Sequence, residues 1–146
     1  MRTAFIVVLS FCLSQAAFGF EEKLDALVAR AEAARPQDQP ALYTQIAERQ
    51  VVAADKFYTD GNVDDAMAAI KDVVKYSDKA RDAAVKTGKR LKQTEIIVRK
   101  MAAKLRDVKR SLAFEDQPPV QEAVDHLEAL RTDLQAHMFG SKNDKR

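Results

Sequence analysis

The sequence is poor in cysteine, tryptophan, glycine and proline. Its 146 residues include one cysteine, no tryptophan, four glycines and four prolines. So few turn-forming residues argue against a β sandwich, which needs many turns, and against a collagen-like chain. Because 47% of the residues are hydrophobic and 32% are charged, the chain can form a packed core and is not predicted to be disordered as a whole. The composition favours one all-α domain.

Residues 1–19 have the pattern of a secretory signal peptide. Arg2 precedes an uncharged apolar run, and small residues follow that run. The small side chains of Ala17 and Gly19 predict cleavage before Phe20, with cleavage after Ala17 as the alternative. Because the apolar run is short for a bilayer span, a retained membrane anchor is the less favoured interpretation. We therefore expect an exported protein, either periplasmic or secreted.

The only cysteine, Cys12, lies inside this leader. Phe11 precedes it where a lipoprotein signal has a small residue, so lipid attachment to Cys12 is not expected. The processed chain would then contain no cysteine. This excludes disulfides, a thiol nucleophile, cysteine-bound zinc and covalent c-type haem from the expected chemistry.

Prolines and glycines divide the rest of the chain into five predicted helices. They span about residues 21–35, 40–60, 62–87, 89–116 and 118–139. The third and fourth helices carry hydrophobic residues at alternating spacings of three and four, which is the heptad pattern of packed helices. Since a short turn at Gly88 separates them, they predict a long central hairpin.

The predicted architecture is an antiparallel helical bundle or a short helical-hairpin array of four to five helices. Helices two and five are needed to cover apolar surface that the central hairpin leaves open. Residues 20–140 form this single domain, and the polar residues 141–146 are expected to be a disordered tail.

One segment suggests a known helical repeat. Residues Ala54–Ala66 read A-D-K-F-Y-T-D-G-N-V-D-D-A, and this stretch resembles the turn of a tetratricopeptide repeat. The resemblance is carried by Ala54, the aromatic Phe57, Gly61 with a polar residue after it, and Ala66. It implies a helical hairpin here, and it gives weak support to the peptide-binding role that such repeats often have.

Charge is unevenly distributed along the chain. Residues 86–110 contain ten basic and two acidic side chains, whereas the segments on either side have an excess of acidic residues. On the fourth helix, Lys92, Arg99, Arg106 and Arg110 lie near one another on a face away from the heptad seam. They predict a surface for a polyanion or an acidic protein. The competing interpretation is that these residues form salt bridges with acidic neighbouring helices.

Three consecutive apolar residues on the same helix suggest assembly. Ile96, Ile97 and Val98 cannot all face one neighbouring helix. Either a further helix of the chain or a second subunit must cover them. Ile96 and Ile97 therefore join the four basic residues as the candidate interaction surface.

No metal, cofactor or catalytic site is predicted. His126 and His137 lie about 16 Å apart along one helix, at 1.5 Å per residue, which is too far for one metal ion. The chain has no glycine-rich phosphate loop and no Gly-x-Ser-x-Gly motif. Nucleic acid is not an expected partner of an exported protein.

We therefore expect an exported, non-catalytic interaction or structural module that binds another envelope protein or associates with itself. The alternative is a binder of an anionic envelope polymer or of a membrane surface through the basic fourth helix.

Overall fold

The computed structural model describes residues 22–140, which form an all-α helical bundle, as the composition predicts. Its helices are α1 (Leu24–Ala33), α2 (Gln39–Thr59), α3 (Val63–Thr87), α4 (Leu91–Arg110) and α5 (Gln117–Gly140), with a short 3₁₀ turn at Phe114–Asp116. The predicted leader 1–19 and tail 141–146 lie outside the described residues. Within 22–140, no helix is both long enough and apolar enough to cross a bilayer.

The bundle consists of two antiparallel hairpins, α2–α3 and α4–α5, which are the two most extensive helix pairs. In the first hairpin the Tyr43 and Tyr76 rings stack with their centroids 6.3 Å apart. In the second, Arg106 Nη2 lies 2.6 Å from Glu128 Oε1. Helix α2 therefore packs mainly against α3, and α4 packs mainly against α5.

The two hairpins stack with corresponding helices parallel. Helix α3 lies along α5, where Asp78 meets His126 at 2.9 Å, and α2 lies along α4, where Asp55 meets Lys104 at 3.0 Å. The consecutive helices α3 and α4 occupy opposite corners and touch each other less than they touch their neighbours. The heptad seams of α3 and α4 are therefore buried more against α2 and α5 than against each other.

The heptad positions form the core of the molecule. Val73, Ala80 and Ala84 of α3 are fully buried, as are Val98 and Leu105 of α4. They join apolar residues of α2 and α5 in one cluster. Burial of these side chains is the main favourable contribution to folding. Helix α1 belongs to the same core, because Leu27 and Ala31 are completely covered.

The turn between α2 and α3 is a glycine-terminated helix end. The N–H of Gly61 donates to the carbonyl of Tyr58 at 3.1 Å, and that of Asn62 donates to Phe57 at 2.8 Å. This hydrogen-bond pair is a Schellman motif, which needs a left-handed residue, and Gly61 has φ of 80°. The segment with the repeat-like sequence therefore lies at the tip of a hairpin.

Helix α4 ends at Arg110, six residues before its predicted end at 116. Beyond it the N–H groups of Ser111 and Leu112 bond to carbonyls three residues back, at 3.0 and 3.1 Å. The Ser111 hydroxyl also donates to the carbonyl of Val108 at 2.7 Å. These bonds tighten the last turn and satisfy carbonyls that a longer helix would have used, so the helix stops there.

Candidate functional site

Helix α4 presents the predicted basic surface, and its two halves differ. Its buried side faces the core with Val98, Met101 and Leu105. Basic side chains project outward along its whole length, as heptad spacing requires. Whether they are available for a partner depends on the helices beside them.

The C-terminal half of α4 forms ion pairs within the chain. Arg106 pairs with Glu128 of α5, and Arg110 pairs with Asp107 of its own helix at 2.8 Å. Lys104 pairs with Asp55 of α2. Burial raises the pKa of Glu128, but hydrogen bonds from Arg106 and Arg131 outweigh it, so the pKa is lower than usual. Two of the four predicted basic residues are thus engaged internally.

The basic side chains at the start of α4 and in the turn before it form no such pairs within residues 22–140; the ion pair of this half joins Glu95 to Arg131 at 2.8 Å. Lys92 and Arg99 are exposed, and neither has an ion-pair partner among residues 22–140. The same holds, within the described part of the chain, for the exposed residues Lys86, Lys89 and Arg90. Five basic side chains therefore concentrate positive charge at one end of the bundle.

Chain direction explains why Arg106 has a partner on α5 whereas Lys92 has none there. Because α4 and α5 are antiparallel, the C-terminal half of α4 lies beside the first half of α5, which contains Glu122, Asp125 and Glu128. The N-terminal half of α4 lies beside residues 131–140, whose only carboxylate is Asp133. Asp133 is already paired with Arg81 of α3 at 3.0 Å.

The single acidic residue in the N-terminal half of α4 points inward. Glu95 is buried; it accepts a hydrogen bond from Arg131 at 2.8 Å and one from Gln135 at 3.2 Å. These contacts hold the start of α4 against the end of α5. Because these contacts turn the Glu95 carboxylate inward, it does not offset the positive charge of the basic side chains on the outer face of α4.

Apolar side chains lie among the basic residues. Ile96 is half-buried and lines a recess of about 530 Å³ together with Lys92, Arg99, Met138 and Phe139. Phe139 is 65% exposed. The neighbouring Ile97 instead packs against the hydrophobic core, so the chain itself covers much of it.

We call the surface formed by these groups the end patch. It consists of Arg90, Lys92, Ile96, Arg99, Met138 and Phe139. Sequence reasoning selected Lys92, Ile96 and Arg99 for the interaction surface but missed Arg90, Met138 and Phe139. Phe139 was a usable signal, because it lies about 100° around the helix from Met138, which continues the apolar stripe of α5.

The two histidines have structural partners, as do Tyr43 and Tyr76. His126 pairs with Asp78, and His137 lies 3.6 Å from Asp133. Tyr43 and Tyr76 are buried between α2 and α3. In the described range 22–140, no three His, Cys, Asp or Glu residues are grouped as a metal site.

The fold and this surface define the class of the molecule: an all-α helical bundle with a basic, partly apolar end. The chain matches no protein-family model, and comparison with curated proteins and with solved structures finds no significant similarity.

Proposed function

We propose that this protein is an exported, non-catalytic interaction module that binds an anionic partner in the cell envelope through its end patch. One candidate partner is an acidic surface of another envelope protein. The observation that supports the proposal is the group of five basic side chains without ion-pair partners in the described chain, gathered at the end of the bundle where Phe139 is exposed and Ile96 and Met138 are half-buried.

A cluster of basic side chains without ion-pair partners usually affects the stability of the fold. Lys89, Arg90 and Lys92 lie close in sequence at the start of a helix, where the helix dipole also disfavours positive charge. Such a cluster repels itself and destabilises the fold slightly unless an anion is nearby. A binding role explains why this cost is retained.

The absence of catalytic motifs supports the non-catalytic part of the proposal. The sequence after the predicted leader has no cysteine and no nucleophile or phosphate-loop motif. Export rests on the leader pattern of residues 1–19 and is part of the same proposal.

An anionic polymer or a membrane surface is the second candidate partner. The exposed Phe139 favours a membrane surface, because an apolar side chain that projects among basic residues can insert at the boundary of the lipid headgroups.

Crosslinking and affinity capture from an envelope extract tests the proposal. The bait is the processed protein, and capture is compared at low and high salt. The test variant is Lys92→Glu with Arg99→Glu. The matched control is Lys23→Glu with Lys71→Glu, which changes net charge equally at exposed positions away from the end patch.

We expect the test variant and high salt each to abolish capture, and the control to retain it. Equal capture by both variants would contradict the proposal. Ile96→Asp is the apolar test; it is preferable to Ile97→Asp, because Ile97 packs on the core and its substitution would disturb folding.

A further inference from the structure

We propose that the end patch docks on an anionic lipid bilayer, with the long axis of the bundle along the membrane normal. This inference rests on the proposed function, since it names the partner of the same surface. It follows from the type, position and exposure of the residues at the two ends of the bundle.

The basic side chains of the end patch and of the turn beside it suit a surface of lipid headgroups. Lys86, Lys89, Arg90 and Lys92 surround the α3–α4 turn and are all exposed. Each basic side chain near an anionic leaflet strengthens binding by about fivefold, without any need for matching shape.

The apolar part of the patch supplies the second contribution. Phe139, in the last turn of α5, is 65% exposed, and Met138 and Ile96 lie next to it. Aromatic and aliphatic residues ringed by lysine and arginine are the composition with which helices enter the headgroup boundary. Attraction of the basic side chains to anionic headgroups and insertion of apolar side chains are thus two independent contributions to membrane binding at the same end of the bundle.

The opposite end of the bundle determines the orientation. It contains the α2–α3 turn, the end of α4 and the start of α5. The exposed carboxylates there include Asp60, Asp64, Asp65, Glu115 and Glu122. An anionic surface repels this end and attracts the end patch, so the molecule is expected to stand upright rather than to lie on its side.

A protein partner fits these observations less well. Tight protein interfaces are built around anchors that fill pockets and exclude water. Here Phe139 projects into solvent, and Lys86 and Lys89 flank the α3–α4 turn outside the recess that Lys92 and Arg99 line. A flat, deformable, negatively charged surface meets these requirements.

The absence of tryptophan permits a direct test. Phe139→Trp places a single fluorescent reporter in the end patch, and Phe114→Trp places a matched one at the opposite end, where Phe114 is 85% exposed. The protein is recovered from the envelope after processing, and its amino terminus is verified by mass spectrometry. Each variant is titrated with vesicles of phosphatidylcholine mixed with phosphatidylglycerol, and with vesicles of phosphatidylcholine alone.

We expect the tryptophan emission of the Phe139→Trp variant to shift to the blue with the anionic vesicles only, and that of the Phe114→Trp variant not to shift. Sedimentation with the same vesicles measures affinity for the protein without reporters. Lys92→Glu with Arg99→Glu should lower the partition coefficient by at least about 25-fold, because two favourable charges are lost. Phe139→Ser should lower it by about tenfold, and Lys23→Glu with Lys71→Glu by less than about twofold.

The outcomes separate this inference from the proposed function. Salt-sensitive capture of an acidic protein or a soluble polyanion, without vesicle binding, would overturn the lipid inference and leave the proposed function intact. Vesicle binding that shifts the emission of the Phe114→Trp variant would overturn the orientation. If the Lys92 and Arg99 variant behaves like wild type in every assay, both proposals are wrong.

Discussion

The two halves of α4 carry the same kind of side chain but have different surroundings. In the C-terminal half, Arg106 and Arg110 have carboxylate partners at 2.6 and 2.8 Å. In the N-terminal half, Lys92 and Arg99 have none among residues 22–140. The comparison shows that a basic run in a sequence can contain a structural half and an available half.

The structural half illustrates the interpretation in which charged helices exchange salt bridges with their neighbours. Exposed ion pairs contribute little to stability, so this half is held mainly by its buried side. The available half has the same buried side and an outer face without partners in the described chain. Four predictions, ordered by expected effect, test whether this difference is real.

The largest effect is expected in the core that both halves share. Leu105→Ala removes a fully buried side chain and leaves a cavity, so it should lower the free energy of unfolding by about 2–5 kcal/mol. Urea denaturation measures this. Leu91→Ala, at a half-buried position of the same helix, should cost less. Equal stability of the two variants would contradict the difference in burial between Leu105 and Leu91 that the structure shows.

The second prediction concerns the turn that leads into the available half. Arg90 has φ of 60°, a left-handed conformation that disfavours side chains. Arg90→Gly should therefore raise the free energy of unfolding by about 0.5–1 kcal/mol. Gly88→Ala, at φ of 64° with open space around a new Cβ, should lower it by about 1 kcal/mol. Thermal unfolding of both variants checks the opposite signs.

The third prediction tests the ion pair of the structural half through pH. The pKa of Glu128 is lower in the folded protein than usual. Its contribution is therefore complete at neutral pH and is lost as the pH falls below about 4. Because the Arg106 side chain is 43% exposed, the contribution should be only about 0.5–1 kcal/mol.

Urea denaturation of wild type and Glu128→Gln at about pH 7 and about pH 3 measures this contribution. The difference between the two proteins should shrink at the acidic pH. A difference that grows instead would show that the Glu128 carboxylate is unfavourable in the folded state.

The smallest effect is expected in the available half. Lys92→Ala and Arg99→Ala should each change the free energy of unfolding by less than about 0.5 kcal/mol, and the double variant should be slightly stabilised by reduced repulsion. For binding of the partner we expect the reverse order of effects, with the substitutions of Lys92 and Arg99 weakening binding most. A clear loss of stability in either variant would show that the replaced side chain has a stabilising partner within the protein, which would contradict the comparison.

The periodicity of the sequence predicted the fold well. The three-and-four spacing identified the buried positions of α3 and α4, and Val73 and Val98 are indeed fully covered. Glycine and proline predicted the turns, including the hairpin tip at Gly61. The end of α4 at Arg110 was not predicted, because the hydrogen bonds of Ser111 that terminate the helix depend on local geometry that residue type does not specify.

The candidate site was predicted only in outline. The basic character of residues 86–110 was evident, but the division between paired and unpaired side chains was not. Glu128 follows Arg106 by more than twenty residues, so nothing in the local pattern associates them. Phe139 was recognisable as an apolar residue beside Met138, but its relation to Ile96 arises only where the end of α5 meets the start of α4.

By itself the sequence determined the all-α class, the helical faces that are buried and the segment in which positive charge accumulates. These properties follow from composition and from spacing within single helices. Only the tertiary structure decided which helices are neighbours and in which direction they run. Because α5 returns antiparallel to α4, its acidic half meets Arg106, and its nearly acid-free half leaves Lys92 and Arg99 beside Phe139.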